Sequence, residues 1–166
     1  MHNKEFMVNV HPFTPAYADQ IYDFILHIQQ QEFGLPVTRA QQPDLADIPG
    51  NYQQGNGNFW IAEHDGRLIG TIALTDLGGG KAALRKMFVH PGFRGRGHGV
   101  ALQLLEALKT WARDHQLNDI YLGTAEILLA AHRFYEKNGF TEVERSAVPD
   151  GPYIMPVDKK FYHLQL

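Results

Sequence analysis

The apolar positions of this chain repeat in two periods, one suited to strands and one to helices. Met7–Phe13 reads as a first strand. Thr14-Pro15 then supplies a helix cap followed by a proline at the first helical position. Ile21, Phe24, Ile25 and Ile28 follow at helical spacing, which predicts a helix to about Phe33. From Gly34 to Gly57 the chain is rich in Gln, Pro, Gly and Asn, and is expected to be irregular with one short helix around Leu45. Phe59–Glu63 and Leu68–Leu74 are apolar runs joined through Asp65-Gly66. That dipeptide favours a two-residue hairpin turn because both positions tolerate positive φ. Gly78-Gly79-Gly80 then leads to a further strand, Ala82–Val89. With no Lys-Ser/Thr pair or helix after it, the triplet reads as a flexible connection rather than a phosphate loop.

In the second half, Val100, Leu104, Leu108 and Trp111 form an apolar stripe that predicts a helix from Gly99 to about His115. Ile120–Gly123 reads as a short strand. Ile127–Lys137 reads as a second amphipathic helix, stopped by Asn138-Gly139. Phe140–Arg145 and Phe161–Leu166 complete the expected strands. A meander of strands followed by strands alternating with two helices indicates a mixed α/β sheet.

Composition mainly removes possibilities. The 166 residues fit one domain, expected to span 1–166, and no stretch reads as a linker or a repeat. The polar opening Met1–Glu5 leads to no apolar run of signal-peptide or membrane-spanning length, so a cytoplasmic, membrane-free protein is expected. The net charge of −3, with scattered basic residues, offers no broad surface for nucleic acid. Cysteine is absent, which removes disulfides, thiolate metal sites and a cysteine nucleophile. The one serine, Ser146, has no Gly-x-Ser-x-Gly around it, and the nine histidines form no His-Glu-x-x-His pattern. No metal is therefore expected.

The informative segment runs from Leu84 to Val100, Leu-Arg-Lys-Met-Phe-Val-His-Pro-Gly-Phe-Arg-Gly-Arg-Gly-His-Gly-Val. A strand ends, a glycine-rich loop follows, and a long helix begins. This gathers unpaired N–H groups and the positive end of a helix dipole at one point, an arrangement that holds phosphates. Arg94 and Arg96 add positive charge beside it. Taken alone, the loop reads equally as an anion site or as a glycine-rich turn with solvated arginines. A P-loop is excluded because no Gly-Lys-Ser/Thr triplet ends it. A dinucleotide fingerprint is disfavoured because Gly95, Gly97 and Gly99 fall at every second residue.

At these residues the chain resembles the GNAT superfamily of acetyltransferases. Arg94, Gly97 and Gly99 fill the fixed positions of that family's Arg/Gln-x-x-Gly-x-Gly/Ala loop, and Leu84–Pro91 is similar to its preceding strand. Ala131–Phe140 is similar to the Ala-x-x-Phe-Tyr-Glu-Lys-x-Gly-Phe segment that often follows, at the expected spacing. The resemblance implies a splayed mixed sheet of six to seven strands flanked by about four helices, open between the fourth and fifth strands. It implies acetyl-CoA as cosubstrate, with pantetheine along Met87, Phe88 and Val89. Pyrophosphate would sit on Arg94, Gly95, Arg96, Gly97, His98, Gly99 and Val100, and Thr124 would lie beside the acetyl-bearing end.

The activity so implied is N-acetylation of an amine on a small molecule, peptide or protein, and a homodimer is compatible with it. A non-catalytic acyl-CoA-binding or sensor domain is the competing expectation. Amide formation from a thioester needs a neutral amine, although a free alkylamine has a pKa near ~10.4, and it needs a proton for the leaving thiolate. Tyr135 matches the family's tyrosine acid by position; on residue type alone it reads as a helix tyrosine packing beside Phe134. Ala83 stands where many members carry a glutamate, two residues before the basic pair Arg85-Lys86, and Leu128 replaces a common asparagine. No base is assigned. Glu126 and Asp76 are weak candidates for proton removal, His132 is a candidate to line the cleft, and Glu32, Asp47 and Tyr153 are weak candidates for contact with a cationic amine.

Overall fold

The computed structural model describes residues 7–95 and 97–166. Its seven strands are β1 (Asn9–Pro12), β2 (Asn58–His64), β3 (Arg67–Gly78), β4 (Lys81–Val89), β5 (Asp119–Thr124), β6 (Thr141–Val143) and β7 (Lys160–Gln165). Four α-helices join them: α1 (Ala18–Leu26), α2 (Ile48–Asn51), α3 (Val100–Asp114) and α4 (Leu129–Lys137). The spatial order is β1-β2-β3-β4-β5-β7-β6, antiparallel except for the parallel β4–β5 pair.

The expected hairpin forms with Asp65 at φ 49° and Gly66 at φ 76°, both in the left-handed region that this two-residue turn demands. Its strands are apolar without alternation because both faces of the sheet are covered. Phe59 and Ile61 pack on the α1 side, whereas Trp60 and Ala62 pack on the α3 side. Helix α3 buries Val100, Leu104, Leu105, Leu108 and Ala112. A fully buried leucine of this kind contributes about 1.5–3 kcal/mol.

The N-terminal helix differs in detail from the expectation. Thr14 makes no side-chain cap bond; Pro15–Tyr17 forms a 3-10 turn and α1 starts only at Ala18. Helical winding does reach the expected end, through a wider π-turn at His27–Glu32. The segment from Gly34 to Gly57 holds a 3-10 turn at Pro43–Ala46 as well as α2.

The sheet opens between β4 and β5. Only Lys81–Ala83 pair with Asp119–Tyr121, after which the strands part. A bulge in β4 accounts for the divergence. Its register against β3 shifts between Thr71 and Ala73, and Lys86 opposite takes φ 53°. A bulge bends its strand and increases the local twist, which here turns the end of β4 away from β5. Among the described residues no helix is long and apolar enough to cross a membrane.

Candidate active site

The cleft created by this divergence is lined on one side by Leu84–Phe88 and on the other by Leu122–Ala125, Leu128, Ala131 and Tyr135. Gln29, Leu35, Tyr153, Met155 and Asp158 close its floor around a cavity of about 110 Å³. Met87 and Phe88 line the cleft, and Val89 ends β4 beside it. The Val89 carbonyl already accepts a hydrogen bond from Arg94 Nε at 2.8 Å.

At the mouth, Gly99 caps α3 in the left-handed conformation, φ 63°, and brings no side chain to satisfy the N–H groups of the first turn. Gly95, Gly97 and His98 form the turn leading in, and Val100 anchors the helix in the core. Arg96 lies outside the described residues. The Arg94 guanidinium is engaged by Glu32, with Nη2 donating to Oε1 at 2.8 Å and Nη1 paired to Oε2. Glu32 therefore faces the loop arginine.

Thr124 is buried at the end of β5, and its carbonyl accepts from Lys159 N–H. Tyr135, on α4, is buried with its ring against Phe134, Phe140 and Tyr162. Burial, with the charge of Asp158 second, raises its phenol well above the ordinary tyrosine value. A phenol in that environment stays protonated and can donate.

The weaker candidates fall mostly elsewhere. His132 is buried one turn before Tyr135 with Nε2 2.9 Å from the Ala125 carbonyl, so it braces the end of β5. Asp47 accepts from Gly50 N–H and caps α2. Asp76 accepts from the N–H groups of Asn56 and Gly78, and Glu126 is exposed. Tyr153 does reach the cleft, its hydroxyl donating to the Pro149 carbonyl.

Lys86, Gln42 and Asp44 went unassigned in the sequence. Lys86 Nζ donates to Gln42 Oε1 at 2.6 Å and lies 3.5 Å from Asp44 Oδ2. Gln42 is fixed in turn by Gln29 and by the Tyr22 hydroxyl. Burial, partly offset by Asp44, lowers Lys86 to a pKa of about 8. The adjacent basic pair in β4 was the available signal, but not the fold of the distant loop that meets it.

Residues 22–140 match the family model of the Acetyltransferase (GNAT) family. The structure superimposes on an acetyltransferase of the GNAT family from Staphylococcus aureus Mu50 with a TM-score of 0.92 and 34% identity, covering 96% of this chain and 99% of that one. The chain belongs to the GNAT acetyltransferase family. Another structurally similar member, a GNAT family acetyltransferase from Elizabethkingia anophelis with acetyl-CoA bound, has a TM-score of 0.65 and 18% identity over 99% of this chain and 100% of its own. The N-acetyltransferase family 8 member 2 of Rattus norvegicus is 28% identical over 133 residues, 78% of this chain and 56% of that protein. The chain spans about half the length of the curated relatives it matches first.

Within this GNAT fold, Ala83 is buried among Val148, Tyr153 and Phe161. A carboxylate there would enter an apolar layer at high cost unless paired. Leu128 precedes α4 and lines the cleft.

Proposed function

We propose that this chain transfers an acetyl group from acetyl-CoA to an amine by direct attack within a ternary complex. Residues 1–166 act as one domain in this reading, and the reaction belongs in the cytoplasm. The observation that carries it is the gap between β4 and β5. The open N-terminus of α3 lies at its mouth and the buried phenol of Tyr135 along its wall.

The proposed arrangement sets pyrophosphate on the main-chain N–H groups at the start of α3, where no Cβ at Gly97 obstructs approach. Pantetheine runs along Met87–Val89 toward Thr124. The neutral amine enters from the side of Gln29, Tyr153 and Asp158 and attacks the thioester carbonyl; the tetrahedral intermediate loses the nitrogen proton to water and expels coenzyme A as its thiolate. Tyr135 donates a hydrogen bond or proton to that sulfur. The bound acetyl-CoA of the Elizabethkingia protein and the acetyltransferase activity in the relatives' names support this assignment.

The test is coenzyme A release across a panel of small amines, amino acids and peptides. Turnover with at least one acceptor and sequential initial-rate kinetics are expected, with no mass change when the protein meets acetyl-CoA alone. A turnover-competent acetyl adduct would overturn direct transfer. Stabilisation by acetyl-CoA without release to any acceptor would reassign the chain as an acyl-CoA sensor.

A further inference from the structure

Amide formation as derived above makes no use of Lys86, yet this side chain is 3% exposed and lines the cleft that holds Tyr135 and Thr124. Consecutive strand residues ordinarily point to opposite faces. The bulge at Lys86 breaks that rule: Arg85 Nη1 is 3.9 Å and Lys86 Nζ 3.5 Å from the same Asp44 oxygen. Two adjacent cations are thus turned into one side of the cleft, at the cost of a left-handed backbone at a lysine.

The compensation around them is incomplete. Of the three Nζ donors, one meets the Gln42 carbonyl oxygen and one the Asp44 carboxylate. The remaining neighbour is the Met155 thioether at 3.9 Å, a weak acceptor. Asp44 also accepts from the Tyr52 hydroxyl. The other carboxyl facing this region, Asp158, is turned to the main chain, where Oδ2 accepts from the Met155 N–H at 2.9 Å. Among the described residues Asp44 is therefore the one carboxylate within ion-pair distance of Arg85 and Lys86. Glu32 is engaged by Arg94 at the mouth and supplies no second one here.

A ligand whose only charge is an ammonium meets two cations that share one ion-pair partner, whereas one carrying a carboxylate completes the ion pairing. Resting on the acetyl-transfer reading above, we propose that the acceptor amine carries a carboxylate, as an amino acid does, and that Lys86 with Arg85 is its counter-ion. The same cations favour the neutral, nucleophilic form of the bound amine, which eases proton removal in a cleft whose Ala83 replaces the family's frequent glutamate. Burial has lowered Lys86, so a bound carboxylate restores the stabilisation of its ammonium that desolvation removed.

The experiment compares α-amino acids with their primary amides and with the corresponding amines lacking the carboxylate, in the wild type, Lys86→Met and Lys86→Gln. A charge-assisted contact predicts an acid-over-amide preference in kcat/KM of about 10–100-fold. Both variants should erase that preference through KM while keeping the thermal shift caused by acetyl-CoA. Equal use of acids and amides by the wild type overturns the proposal, as does an equal loss for both substrates in the variants. If no amine of any class is acetylated, the acetyl-transfer reading fails instead. The thermal shift produced by the amino acids in the presence of coenzyme A then decides: a Lys86-dependent shift supports the counter-ion, and none removes it.

Discussion

Replacing Tyr135 by phenylalanine separates chemistry from packing more cleanly than any other change in the cleft. The ring sits against Phe134, Phe140 and Tyr162 at centroid distances of 5.5–5.9 Å, and phenylalanine preserves all three contacts. Loss of one hydroxyl facing the cleft should cost stability no more than about 1 kcal/mol. General acid catalysis contributes typically about 10²–10⁴-fold, most when the acid's pKa lies near the working pH. Burial moves Tyr135 the other way, well above an ordinary tyrosine. Its contribution therefore belongs at the low end, roughly 10²-fold in kcat or about 2.7 kcal/mol of barrier. The same shift predicts that no alkaline loss of rate below about pH 10 comes from this residue. The assay is favourable because the chain contains no cysteine, so a thiol reagent reads only released coenzyme A. A Tyr135→Phe protein with unchanged melting temperature, unchanged response to acetyl-CoA and full kcat would refute the acid role and leave the fold untouched.

Two further outcomes are expected. At Gly97 a Cβ would meet nothing within 4 Å, so Gly97→Val should fold normally yet lose the stabilisation that acetyl-CoA gives the wild type; an undiminished shift would move the pyrophosphate elsewhere. Lys86 titrates near 8 in the folded protein against an ordinary lysine value of 10.5, so the unfolded chain binds more protons between those values. Stability relative to Lys86→Met should thus be lowest below pH 8 and climb by up to roughly 3 kcal/mol toward pH 10.5; a flat difference between pH 7 and 9.5 in denaturant melts would show that Lys86 carries no buried charge.

The loop and helix start proposed for the coenzyme were legible as structure because their determinants are local. The end of β4, the glycines, the start of α3 and the Phe134-Tyr135 pair each lie within one stretch of chain, and their order matched a known family. The hairpin at Asp65-Gly66 was readable for the same reason, since turn chemistry needs only two residues. The proposed acceptor half follows from encounters between distant segments. Lys86 meets Gln42 across 44 positions, and Arg94 meets Glu32 across 62. The β4 bulge is what aims Arg85 and Lys86 together, and strand periodicity predicts the opposite. Asp47, a weak candidate for contact with a cationic amine, caps α2, because an isolated carboxylate in an irregular segment fits either role.

The Arg94–Glu32 pair bears on how the two halves communicate. Glu32 closes the π-turn that extends α1, and Gln29 of the same turn holds the Gln42 that receives Lys86. An anion arriving at the loop would meet Arg94 already paired, with Nε committed to the Val89 carbonyl. Capture of pyrophosphate then rests first on the main-chain N–H groups of α3, which have no such competitor at the glycine cap. One short, widely wound turn thus touches the proposed coenzyme site through Glu32 and the proposed acceptor site through Gln29.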